Sequence, residues 1–123
     1  CEYAFLPHHC GFSAESVIEP SYAFNYKPIV VAGSRKMASL IEVDASNIVV
    51  ETIKPCEDSE RAFIVRLYEA EGTRTHASVQ LGFAPKAVAE TNMLEEHTAD
   101  LPAAANFRLT FRPFEIKTVK VSY

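Results

Sequence analysis

From Ser39 to Tyr123 the chain is a succession of short runs rich in Val, Ile, Phe, Tyr and Thr, separated by polar turns, with large apolar residues recurring at every second position. That period belongs to β-strands, whose successive side chains point to opposite faces. A chain that repeats it buries its apolar set by laying one sheet on another. In residues 75–83, Ala77, Val79, Leu81 and Phe83 alternate with His76, Ser78 and Gln80; in residues 107–111, Phe107, Leu109 and Phe111 alternate with Arg108 and Thr110. Residues 62–69 set Phe63, Val65 and Leu67 on one parity and Ile64, Arg66 and Tyr68 on the other. The first face is fully apolar, and the second is mixed, suited to solvent or a neighbour.

Two features of the run pattern predict connections. Residues 39–43 and 48–53 flank Asp44–Asn47, whose polar side chains suit a turn, so a first hairpin is expected there. The last run, 114–123, changes parity between Phe114/Ile116 and Val119/Val121/Tyr123, which predicts a β-bulge near Lys117–Thr118. The expectation is all-β: an antiparallel β-sandwich of immunoglobulin-like size over residues 34–123. Phe63, Val65, Leu67, Val79, Leu81, Leu109, Phe111 and Ile116 should form its core, with no long helix.

Residues 1–33 read differently. Ala14, Val17 and Ile18 are spaced for a helix within Ser13–Phe24, but Glu19-Pro20 is expected to stop it after one short turn. Pro28 and the stretch 32–36 bracket a short strand and mark the domain boundary. The opening Cys1–Leu6 lacks the basic and small-residue features of a signal peptide and reads as a strand entered midway.

A formal net charge of -4 with scattered Lys and Arg offers no basic stripe, which argues against nucleic acid. The longest apolar runs, such as Ile29–Ala32, fall far below the roughly 20 residues that span a bilayer, so no membrane helix is expected. Cys1, Cys10 and Cys56 match no disulfide framework, and free thiols in a cytoplasmic parent protein are expected, with Cys10 and Cys56 as small buried residues.

Three segments carry a resemblance, in a fixed order. Ile53-Lys54-Pro55-Cys56-Glu57-Asp58-Ser59, followed by Phe63-Ile64-Val65-Arg66-Leu67-Tyr68-Glu69-Ala70-Glu71-Gly72, resembles the K-x-x-E-D and V-R-L-Y-E-x-x-G stretch of family 38 α-mannosidases. Lys86-Ala87 with Glu90-Thr91-Asn92-Met93-Leu94-Glu95-Glu96 is similar to that family's A-x-E-x-N-L-L-E-E segment. Arg112-Pro113-Phe114-Glu115-Ile116-Lys117-Thr118 resembles its closing P-F-E-I-K-T. Upstream, residues 3–8 and 23–28 are similar to Y-x-L-x-P-H and A-x-x-N-x-P, although Cys1 stands near where the family usually has His.

The resemblance implies that residues 1–33 are the tail end of a preceding large β-domain and residues 34–123 a C-terminal sandwich. The parent would be a retaining glycoside hydrolase acting on terminal α-mannosyl residues, with its zinc ion and aspartate nucleophile in a separate catalytic domain. This chain would then be a non-catalytic domain with no cofactor of its own, packed on the catalytic and central β-domains of the same polypeptide. In the isolated chain this N-terminal segment, without its partners, would favour self-association. The alternatives are a stand-alone carbohydrate-binding or adhesion module, and a small self-contained hydrolase.

No catalytic or metal-binding residue is expected. His8-His9-Cys10 offers zinc-type ligands, but neighbours in a strand point apart, and a surface cluster is the plainer reading. His76 and His97 have no spaced partners. Glu57-Asp58, Glu69/Glu71 and Glu95-Glu96 read as solvated turn carboxylates rather than the paired carboxyl groups of a glycosidase. Arg66, Tyr68, Arg108 and Arg112 are the candidates for contact with a neighbouring domain. Trp, common in sugar platforms, is absent; Tyr22, Tyr26 and Tyr68 are the remaining aromatic candidates.

Overall fold

A computed structural model describes residues 2–9, 11–34 and 38–123. Its sandwich pairs a three-stranded sheet with a five-stranded one, every pair antiparallel. The smaller sheet contains β1 (Ile41–Val43), β4 (Thr75–Leu81) and β7 (Asn106–Phe111), in the order β1-β4-β7. The larger contains β2 (Ile48–Cys56), β3 (Ser59–Glu69), β5 (Ala87–Thr91), β6 (His97–Leu101) and β8 (Ile116–Ser122), in the order β2-β3-β8-β5-β6. The expected all-β sandwich is what the chain forms.

The core lies where the period-two runs face one another. Phe63, Val65 and Leu67 of β3 and Val119 and Val121 of β8 meet Ala77, Val79 and Leu81 of β4 and Phe107, Leu109 and Phe111 of β7. The opposite parity of the smaller sheet carries a polar ladder, in which His76 pairs with Thr110, and Asn106 bonds both Ser78 and Gln80. Alternation has placed one face in the core and the other in water.

Two expected connections are corrected. The strands either side of Asp44–Asn47 form, but they are not a hairpin: β1 pairs with β4, and β2 pairs with β3. The turn is a corner between sheets. Asp44 exchanges bonds with the backbone of Ser78, and the Asn47 amide reaches Glu69, Thr73 and Thr75 across the corner. The bulge expected at Lys117–Thr118 does not occur either, since β8 keeps unbroken register with β3 from Ile116 to Ser122. Ile116 consequently points outward and is 58% exposed, leaving the core to Val119 and Val121. Register breaks fall instead in β2, between Val50 and Thr52 and between Pro55 and Cys56, and in the β5/β6 pair.

The N-terminal helix is longer than its Pro suggests. A π-helical turn, Ala14–Ile18, runs directly into α1 (Glu19–Asn25). Ser13 caps the start, its hydroxyl accepting the Ser16 N–H, and Pro20 occupies the first turn of α1, where a missing N–H is least costly. The wider π turn before it accommodates the residue that cannot donate. Ala14 is buried against the sandwich, and its N–H donates to Glu71 at 2.8 Å. Residues 2–9 and 27–34 form neither helix nor strand; the short strand expected near Ile29–Val31 is absent.

Candidate functional site

The outer face of the larger sheet brings together Lys54, Glu57, Arg66 and Glu95 around one connection. The β5–β6 connection, Asn92–Glu96, folds back across β2, β3 and β8. Asn92 shapes it, its Oδ1 accepting the N–H groups of Leu94 and Glu96. Glu95 sits at φ 67°, an uncommon conformation for a residue with a side chain, and this turns its carboxylate inward, where it is buried. The carboxylate pairs with Lys54, which also holds Glu57 at 3.0 Å, and accepts the backbone N–H of Glu57 at 3.0 Å. The Lys54 ammonium first, then that N–H, hold the Glu95 carboxyl down at about 2. Glu95 and Glu57 together push Lys54 up. Cys56, Ala62 and Ile64 form a small buried cluster of their own.

A second buried carboxylate, Glu69, closes the opposite end of β3. Its Oε1 accepts from Asn47 Nδ2, the Glu71 N–H and the Thr73 hydroxyl, and its Oε2 from the N–H groups of Gly72 and Phe114. Burial is the largest single influence and pushes the carboxyl up, but the donors outweigh it and hold Glu69 at about 2. Glycine is favoured there: Gly72 sits at φ 73°, where a side chain is strained, and the Phe114 ring packs over the space that a Cβ would take.

The domain-contact candidates do not converge. Arg66 lies under the β5–β6 connection, its Nη2 donating to the Met93 carbonyl at 3.1 Å, while its buried Nε has no partner among the described residues. Tyr68, two residues along the same face, meets the N-terminal helix: it lies beside Tyr22, whose hydroxyl donates to Glu51. That Glu51 bond first, then burial and Tyr68, push the Tyr22 phenol above its usual range. Glu51 reaches Tyr22 because it stands at the β2 register break, where an extra residue turns its side chain out of the ladder. Arg108 is exposed on the outer face of the smaller sheet, and Arg112 forks onto Glu115 in the β7–β8 turn.

The remaining candidates are scattered. Tyr22 and Tyr26 stack on each other at 5.5 Å, each using one ring face. His76 bonds Thr110 and His97 bonds Asp100. His8 and His9 are exposed, and Cys1 and Cys10 lie outside the described residues. Among the described residues no three His, Cys, Asp or Glu side chains converge to hold a metal ion, so zinc finds no ligand set in them. A general acid must carry its proton near neutral pH, and carboxyls held at about 2 do not. What these two carboxylates do is tie loops to the sheet.

A family model described as "Glycosyl hydrolases family 38 C-terminal beta sandwich domain" matches residues 47–119, more than half of the chain. The chain belongs to this family. Human Alpha-mannosidase 2C1 is 29% identical over 124 residues, an alignment covering 93% of this chain. The chain spans 12% of the length of that protein. The segments that resemble the family in sequence are, in this family 38 sandwich, the ones that meet at the two carboxylates. Lys54 and Glu57 meet Glu95 at one end, and Glu69, Gly72 and Phe114 meet at the other. Sequence reasoning treated Glu69 and Glu95 as solvated turn residues. The signal that could have corrected it is the placement of Glu69 on the inward-facing parity of β3, in register with Phe63, Val65 and Leu67.

Proposed function

We propose that this chain is the non-catalytic C-terminal sandwich of a larger retaining α-mannosidase that hydrolyses terminal α-mannosyl residues. Its role is to support the packing of the catalytic and central β-domains of the same polypeptide. The zinc ion and aspartate nucleophile belong to the catalytic domain, outside this sequence, and the parent works in the cytoplasm, in keeping with Cys56 as a buried free thiol. Among the described residues no helix is long and apolar enough to cross a membrane. Residues 1–33 are the end of the preceding β-domain.

The observation that carries the reading is how fully the buried carboxylates are committed: every oxygen of Glu69 and Glu95 accepts a donor from the fold itself. The exposed apolar residues Tyr3, Phe5 and Ile29, each at least 90% accessible, support a neighbour at the N-terminal segment. The test is Glu69→Gln placed in the full-length enzyme. Its melting temperature should fall while KM and kcat for an aryl α-mannoside stay unchanged below the melt. Loss of kcat with an unchanged melting temperature, or turnover of that mannoside by the 123-residue chain alone, would overturn the proposal.

A further inference from the structure

The larger sheet outreaches the smaller one at the β2–β3 hairpin, and the uncovered part of its inner face floors a cleft of about 870 Å³. That volume is in the range of ligand sites, about 300–1,000 Å³. Leu40, Ile53 and Tyr123 line it while remaining 46%, 45% and 50% exposed, so three separate segments converge their apolar groups on one open surface. Phe63, Phe83 and Tyr123 form an aromatic cluster in its wall, with ring centroids 6.0–6.5 Å apart. Leu40 is carried there by a close crossing: the Gly82 N–H donates to the Leu40 carbonyl, and a Cβ on Gly82 would collide with the Ser39 carbonyl oxygen.

The rim is predominantly acidic. Glu57, Asp58 and Glu60 of the hairpin line the cleft and are exposed. Lys54, the cation there, is committed to Glu57 and Glu95, whereas Asp58 and Glu60 have no ion-pair partner among the described residues. Free carboxylates beside tilted aromatic rings attract a cation twice over, by charge and through the ring faces.

We propose that this cleft docks a partner peptide segment in which a bulky apolar side chain stands next to Lys or Arg. The apolar group fills the space between Leu40, Ile53 and the aromatic cluster, and the cation meets Asp58 and Glu60.

The chain contains no Trp, so a Trp-bearing probe reports its own binding by fluorescence. The pair to compare is acetyl-Lys-Trp-Lys-Leu-amide and acetyl-Glu-Trp-Glu-Leu-amide, titrated into the whole chain at low and high salt. The basic probe should bind saturably, at least tenfold more tightly than the acidic one, weaken with salt, and shift the NMR signals of Leu40, Phe83 and Tyr123. The surface variant Asp58→Lys/Glu60→Lys, checked for an unchanged melt, should lose that preference. Absent or equal binding of the two probes, binding indifferent to the variant, displacement of the probe by methyl α-mannoside, or a dimer that the variant dissolves would each overturn the proposal.

Discussion

The sandwich and the N-terminal segment have similar apolar content but opposite fates. In residues 41–122 the inward-facing apolar residues of one sheet meet those of the other: Phe63 of β3 lies beside Val121 of β8, and the pair belongs to one core with β4 and β7. In residues 2–9 and 27–34, Tyr3, Phe5, Ile29, Val30 and Val31 meet nothing among the described residues and stay in solvent. Between these extremes lies the helical segment, attached by the Ala14–Glu71 and Tyr22–Glu51 bonds and a little apolar contact. The difference teaches that an apolar run stabilises a chain through its partner, not through its composition.

The comparison breaks first if the core is not where we place it. Phe111→Ala should cost about 3–5 kcal/mol and Leu67→Ala about 2–5 kcal/mol in a reversible urea melt, because both side chains are fully buried. A loss under ~0.5 kcal/mol at Leu67 would remove it from the core. Glu69→Ala comes next, at roughly 2–4 kcal/mol, since it strands the buried N–H groups of Gly72 and Phe114.

Acid sharpens the same contrast. Glu69 and Glu95 are held at about 2, below the 4.5 of a free carboxyl, so each stabilises the fold fully above pH 4.5 and progressively loses that contribution as the pH falls toward 2. Urea midpoints should therefore drop between pH 5 and pH 3, and Glu69→Gln should flatten that drop. The helix attachment should count for less. Tyr22→Phe removes one exposed hydrogen bond and should change stability by under about 1 kcal/mol while speeding amide exchange in α1. Smallest of all, Ile29→Ser with Val31→Ser should leave the melt within about 0.5 kcal/mol and reduce association seen by light scattering.

Particular residues show what the sequence could reveal. Val79, Leu81, Leu109 and Phe111 were legible because period-two alternation depends only on the local backbone. The partner of β1 was not, because Asp44–Asn47 suits a hairpin and a corner equally, and the choice is made by Ser78 and Thr75, about 30 residues away. Ile116 was misplaced for a related reason. Parity within residues 114–123 cannot say where the strand begins, and Phe114 belongs to a turn at φ 57°, over Gly72. The strands β5 and β6 escaped the pattern because both are only five residues long and β6 lies at the sheet edge, with no buried residue to mark its period. Glu69 and Glu95 looked solvated because the donors that bury them come from other segments. The family resemblance found those segments without saying why they matter; the structure supplies the reason.

The central claim is that the charged residues shared by these segments hold loops in place rather than perform chemistry. An NMR titration of the Glu69 and Glu95 side-chain carboxyl carbons in the folded chain tests it most directly. Both should still report ionised carboxylates at pH 3.5, with midpoints near 2 or protonation coincident with acid unfolding. A midpoint at 4.5 or above for either carboxyl, in a chain that stays folded, would contradict it.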